Sequence, residues 1–162
     1  MYIEYGPWLW NPRKSERFQV SEKILVRPVG QHPICSYDNQ KYYTLNTIYN
    51  VIITDCRFST KYVLALLNSK IMQIIWKEIY PEQKDIFPRL KKEQLVEIPI
   101  PILDKEHQQK IEEIVNSIIE IKNSDSFADT SLLDNEIDNM VYELYGLTEE
   151  EIRVIESDMS CS

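Results

Sequence analysis

Glycine is nearly missing from this chain: 162 residues contain only Gly6, Gly30 and Gly146. A glycine-rich loop that cradles a nucleotide phosphate needs several close-set glycines, so no such loop can be built here. Cysteine is equally sparse. Cys35, Cys56 and Cys161 form no Cys-x-x-Cys pair and are odd in number, which argues against a disulfide framework or a zinc cluster and for reduced, structural thiols. The two histidines, His32 and His107, lie far apart with no acid or nucleophile arranged beside either, so a core or surface role is the expectation for each. No uncharged apolar run approaches the roughly 20 residues that span a bilayer. The opening MYIEYGPWLWNPRKSERF has neither the basic start nor the apolar run of a signal peptide, and the cytoplasm is the expected location.

What is present is a core and a strong division of charge. Hydrophobic residues make up 43% of the chain, and the length is that of one ordinary domain, so a folded protein is expected. Residues 1–100 carry 14 Lys/Arg against 10 Asp/Glu, a net of +4, while residues 101–162 carry 4 against 16, a net of −12. The overall −8 therefore conceals a basic half and an acidic half. Such sign asymmetry keeps a polyanion partner open for one face and a protein partner for the other.

The basic half reads as short strands at Lys23–Val29, Ile34–Tyr37, Tyr42–Leu45 and Ile48–Ile53, rich in Ile, Val, Tyr and Thr and separated by turn residues. Tyr37-Asp38-Asn39-Gln40-Lys41 has the composition of a hairpin tip. Ser59 or Thr60 can cap a helix over Tyr62–Ile79, apolar around most of its circumference and therefore buried, with a bend or break expected at Asn68-Ser69. Tyr80–Lys92 reads as an exposed basic loop, and Leu95–Ile100 as an edge strand or extended exit, because Pro99 and Pro101 cannot donate to a ladder. Asp104 can cap a helix to about Lys122. After the loop Asn123–Ser131, a second helix aligns Leu133, Ile137, Met140, Val141 and Leu144 and stops at Gly146, so the two form a hairpin. Thr148 with Glu151 is a capping box for a last helix through about Glu156.

Signatures of catalysis are thin. Asn11-Pro12-Arg13 begins like the Asn-Pro-Pro-aromatic motif of amino-methyltransferases but lacks the second proline and the aromatic ring, leaving a turn. Glu82-Gln83-Lys84 has the Glu-x-Lys spacing of a magnesium nuclease site, yet no Pro-Asp partner precedes it on a strand, so a solvated loop is expected. Binding chemistry is better represented. Arg27, Lys41, Lys61, Lys84, Arg89, Lys91 and Lys92 can fix phosphates, and among them lie Tyr37, Asn39, Gln40, Tyr42, Tyr43 and Asn46. Planar amides and guanidinium groups of this kind pair bidentately with base edges.

In order, KILVRPVG, a polar turn ending KYYTLN, the helix YVLALLNSKIMQIIW, the basic FPRLKKEQLVEIPIP and the helix starting HQQKIEEIV resemble the TaqI-like C-terminal specificity domain over residues 7–156. The string Leu66-Leu67-Asn68-Ser69-Lys70 and the Ile98–Pro101 exit carry the most specific likeness. The ending LDNEIDNMVYELYGLTEEEIRVIE is similar to the close of type IIG restriction-modification enzymes. The resemblance implies an α+β fold: a small β-rich target-recognition region with a buried helix at 1–103, then a helical scaffold at 104–162, as one compact domain or two subdomains. It also implies sequence-specific recognition of double-stranded DNA, with no catalysis and no cofactor in this chain. The parent would be a restriction endonuclease or adenine-specific DNA methyltransferase using S-adenosylmethionine, and Mg2+ where a nuclease is attached. Its methyltransferase portion, and any nuclease, would lie before this segment and flip the target adenine, making the chain a C-terminal portion or a fragment gene.

Family members read different sequences, so contact residues follow from chemistry and loop position. The candidates are Arg27, Tyr37, Asn39, Gln40, Lys41 and Tyr43 in the β-rich part, then Asn46, Lys84, Arg89, Lys91 and Lys92. Two readings stand beside this one: half of a type I restriction specificity subunit, and a protein-interaction module built on the acidic helical hairpin. A stand-alone enzyme is disfavoured by the missing site signatures.

Overall fold

Three short strands form one antiparallel sheet in the order β2-β1-β3, with β1 at Lys23–Arg27, β2 at Ile34–Asp38 and β3 at Tyr49–Val51. The structure, a computed structural model, describes residue 6 and residues 14–30, 32–79 and 90–160. The turn expected at Asn11-Pro12-Arg13 and the Glu82-Gln83-Lys84 tripeptide lie outside the described residues. Side chains alternate along a strand, so the pairing register sets the faces. Ile24 and Val26, fully buried, share the core face with their partners Tyr37, Cys35, Tyr49 and Val51. Lys23, Leu25 and Arg27 share the second face with Ile34, Ser36, Asp38 and Asn50.

Two of the expected strands are corrected. β1 ends at Arg27 because Pro28 has no N–H with which to continue the ladder. Tyr42–Leu45 is no strand. The Asp38 carboxylate draws the N–H groups of Gln40 and Tyr42 onto itself, and Lys41 takes a left-handed backbone with φ of 60°, which turns the chain out of the sheet. The hairpin is therefore β1–β2 closed through residues 28–33, and the polar turn after β2 opens a crossover to β3 on the far side of β1.

Helix α1 (Thr60–Asn68) starts where the Ser59 side chain accepts the Tyr62 N–H at 3.1 Å. Every residue from Tyr62 to Leu67 is buried, and each buried leucine among them stabilises the fold by about 1.5–3 kcal/mol relative to exposure. Of the bend or break expected at Asn68-Ser69, the structure has the break: Ser69 is extended (φ −66°, ψ 155°), and the chain restarts as α2 (Lys70–Ile79). Released from helical duty, the Asn68 side chain meets the outer edge of β2, accepting from Cys35 N–H and donating to Cys35 C=O, both at 3.0 Å. It satisfies edge groups that would otherwise invite another strand.

The strand or extended exit expected at Leu95–Ile100 is also corrected. Lys92–Val96 forms a short helix, α3, whose start is tied by a Lys91 N–H to Gln94 Oε1 bond at 2.8 Å. The stretch around the two prolines carries no regular secondary structure. Asp104 caps α4 (Lys105–Ser124) by accepting the His107 N–H at 2.9 Å. α5 (Ser131–Leu144) follows and closes in a Schellman arrangement, with Leu147 N–H on Tyr142 C=O and Gly146 N–H on Glu143 C=O, both at 3.0 Å. Gly146 takes the left-handed φ of 65° that this closure requires. Thr148 and Glu151 make the expected reciprocal cap for α6 (Glu149–Ser160), which runs one turn past the expected end.

The architecture is α+β. One cluster of buried side chains runs from the core face of the sheet through α1 and α2 into α4, α5 and α6. Polar ties reinforce the seam. Buried Gln108 on α4 accepts the Ser59 N–H at 2.9 Å and donates to the carbonyls of Arg57 and Leu103 at 2.7 and 2.9 Å. Buried Asp138 on α5 accepts the Lys70 N–H at 2.9 Å, which caps α2 from the opposite half.

Candidate nucleic-acid interface

The connection from β2 to β3 carries most of the expected contact residues. It leaves the sheet at Asp38, whose carboxylate accepts the Gln40 and Tyr42 N–H groups at 2.8 and 3.0 Å and pairs with the Lys23 ammonium. With the backbone drawn inward, Asn39, Gln40 and Lys41 are exposed at the tip, where Gln40 Nε2 donates to Asn39 Oδ1 at 2.8 Å. The chain then runs along the second face of the sheet. The Tyr43 ring lies 4.7 Å from that of Phe18, its hydroxyl accepts from Gln19 at 2.8 Å, and the Thr44 hydroxyl accepts from Asn50 Nδ2 at 2.8 Å. Asn46 is exposed in the turn that leads into β3.

A second group gathers at the other end of β1. Arg27 is exposed, with its guanidinium beside Gly30, whose φ of 135° suits glycine. Burial, and then the Arg27 charge, push His32 below the ordinary imidazole range, so at neutral pH it adds no charge there. Leu90 N–H donates to Pro28 C=O at 2.7 Å, and the Tyr49 hydroxyl donates to Leu90 C=O at 3.0 Å. These bonds bring Lys91 and Lys92 to the Arg27 end, with Lys92 Nζ 5.6 Å above the Tyr49 ring.

Tyr37 is not brought to either group. It sits on the core side, its hydroxyl donates to Glu22 at 2.7 Å, and Lys61 lies 5.1 Å over its ring. Burial, then the bond to Glu22, push its phenol well above the ordinary range. Lys61 in turn donates to Asn116 at 2.5 Å. Both therefore serve the junction with α4. Lys84 and Arg89 lie outside the described residues.

The electrostatics separate outward from inward cations. On α2, Lys70 pairs with Glu156 at 3.0 Å and Lys77 with Asp158 at 2.7 Å, so these two are neutralised by the acidic half. Arg27, Lys41 and Lys92 make no ion pair among the described residues. The arrangement thus presents amides at one end of the sheet and, at both ends, cations that meet no carboxylate among the described residues, the pairing of base-edge and phosphate chemistry that a duplex demands.

Three residues that sequence reasoning passed over shape this surface: Lys23, Asp38 and Asn50. Asp38 had a visible signal, an Asx-turn composition. Lys23 did not, since a strand-end lysine ordinarily faces water. Among the described residues, no three His, Cys, Asp or Glu side chains converge as a metal site requires, and no helix is long and apolar enough to cross a membrane.

Residues 1–100 match the family model of the TaqI-like C-terminal specificity domain. That span takes in the sheet, α1, α2 and α3 but not the helical scaffold, so the likeness seen in the tail has no counterpart in the match. No curated protein matches the chain.

Proposed function

The chain belongs to the TaqI-like C-terminal specificity domain family, and from that premise we propose that it recognises a short sequence in double-stranded DNA. The observation that carries this is the Asp38–Tyr42 turn. It holds Asn39, Gln40 and Lys41 outward within the matched span, on a sheet flanked by Arg27 and Lys92. In this reading Asn39, Gln40 and Asn46 supply base-edge contacts, while Lys41, Lys91 and Lys92 engage phosphates and set register. Lys84 and Arg89, close by in the sequence, are further phosphate candidates on their charge alone. The parent would be a type IIG restriction-modification enzyme. Its adenine methyltransferase portion, bound to S-adenosylmethionine, would perform the reaction while this module holds the target base in position. The acidic scaffold faces away from the duplex and toward that catalytic portion.

The test is a fluorescence-anisotropy titration of the 162-residue chain against a pool of random-sequence duplexes at several salt concentrations. Binding should weaken with salt, with a log–log slope of about −0.9 per phosphate neutralised. Lys92→Gln should weaken all sequences alike and flatten that slope by about 0.9, whereas Arg27→Gln should cost about 1–3 kcal/mol if the guanidinium reads a base. No detectable binding at low salt, with the chain folded, defeats the proposal.

A further inference from the structure

We propose that the buried Lys23–Asp38 pair is the positioning device of the reading turn, an inference that rests on the DNA-recognition reading above. Both side chains are 0% exposed, although they sit on the second face of the sheet rather than in the core under α1. Among the described residues, their side-chain partners gather around the turn that would meet DNA. Asp38 receives the Gln40 and Tyr42 N–H groups as well as the ammonium. Lys23 also donates to Phe18 C=O at 3.2 Å, and Phe18 carries the Tyr43 ring.

One ion pair therefore joins three things: the segment before β1, the first residue pair of the β1–β2 ladder, and the turn that displays Asn39, Gln40 and Lys41. A fully buried pair adds little net stability, because dehydrating two charges offsets most of their attraction, and well-packed apolar replacements are often as stable. What apolar side chains cannot supply is a carboxylate with geometry fixed enough to hold two consecutive-turn amides. The left-handed Lys41 between them, at φ 60°, is a conformation that an L side chain disfavours and that the flanking bonds impose. The turn is thus preorganised, and preorganisation is what sharpens discrimination between bases, since a loosely held amide pairs with several edges. Lys23 and Asp38 touch no base themselves. They are positioning residues.

The experiment compares the 162-residue chain with its Lys23→Met/Asp38→Leu form, which fills the same space without charge, and, should that double variant not fold, with Lys23→Met/Asp38→Asn, which keeps one acceptor and leaves no unpaired buried charge. Two readouts are taken: sequencing of duplexes enriched from a random pool, and amide hydrogen exchange at Gln40 and Tyr42. The double variant should melt within a few degrees of the parent and keep its low-salt binding to mixed duplexes and its salt slope. Its preference at the bases read by the turn should fall about tenfold, with exchange at Gln40 and Tyr42 accelerated at least tenfold and ladder amides in β1 unchanged. Lys23→Met/Asp38→Asn should move both readouts the same way by less. An unchanged enrichment profile in a folded variant overturns the proposal, as does rapid exchange of those two amides in the parent chain. A parent chain that enriches no sequence, yet protects both amides, instead defeats the DNA reading and takes the positioning role with it, so the two failures are told apart.

Discussion

Asp138 offers the sharpest test of how the two halves are joined. Its carboxylate is buried on α5, accepts the Lys70 N–H at 2.9 Å, and lies 3.5 Å from the Lys70 ammonium. Lys70 has a second and closer anion, Glu156 at 3.0 Å, which also accepts from the Tyr142 hydroxyl at 2.8 Å. Burial pushes the Asp138 carboxyl above the ordinary range, and the bonds from Lys70 only partly oppose it. Burial is the largest single influence on Lys70 and works against its charge, but the bond to Glu156 and the charges of Asp138 and Glu156 together outweigh it and leave Lys70 raised. The backbone cap is therefore the useful part of Asp138, and its charge is a burden. Asp138→Ala deletes the cap, at a cost of about 1–2 kcal/mol. Asp138→Asn keeps an acceptor and removes the charge, at a cost below about 1 kcal/mol. A group whose folded pKa is raised leaves the native state holding extra protons between its unfolded and folded values, so wild-type stability falls as pH rises through that window. Asparagine has no such loss, so its deficit against wild type should shrink from pH 4 to pH 7. Urea unfolding at several pH values measures this. An Asn variant as unstable as the Ala variant, or a wild-type-to-Asn gap independent of pH, refutes the reasoning.

Lys41→Gly should keep or raise the melting temperature, because glycine takes a φ of 60° without the about 1 kcal/mol that a Cβ costs there, while DNA affinity falls and the salt slope drops by about 0.9; a destabilised variant would show that the Lys41 side chain is part of the packing. Gly146→Ala should cost about 1 kcal/mol in urea unfolding, read as backbone strain alone, since nothing lies within 4 Å of the added methyl at φ 65°; a neutral result means that the α5 closure relaxes.

Helix ends were legible in local chemistry: Ser59, Asp104, Gly146 and the Thr148–Glu151 box each act within one turn, so their meaning is complete in a few residues. The division into a basic strand-bearing half and an acidic helical half was equally readable, because charge and hydrophobic period are sums over the chain. The FPRLKKEQ stretch illustrates the limit. Its polar residues at 92–94 are good helix formers, yet the apolar run Leu95–Ile100 beside them reads as an edge strand or extended exit. Tyr42–Leu45 failed for a different reason. Its β-branched and aromatic composition fits a strand, but the Asp38 carboxylate claims the N–H of its first residue, Tyr42, and of Gln40 just before it, and turns the chain out of the sheet.

By itself, then, the sequence determined the elements that close locally, the buried α1 and α2, the electrical split and the family. Tertiary structure alone decided that Tyr37 turns to the core while Arg27 stays outside, that Lys70 is neutralised while Lys41 meets no carboxylate among the described residues, and that Lys23 meets Asp38 out of water. Those outcomes depend on strand register and on groups 15 to 86 residues apart in the chain, and no local pattern encodes which of many polar side chains will find a partner at that distance.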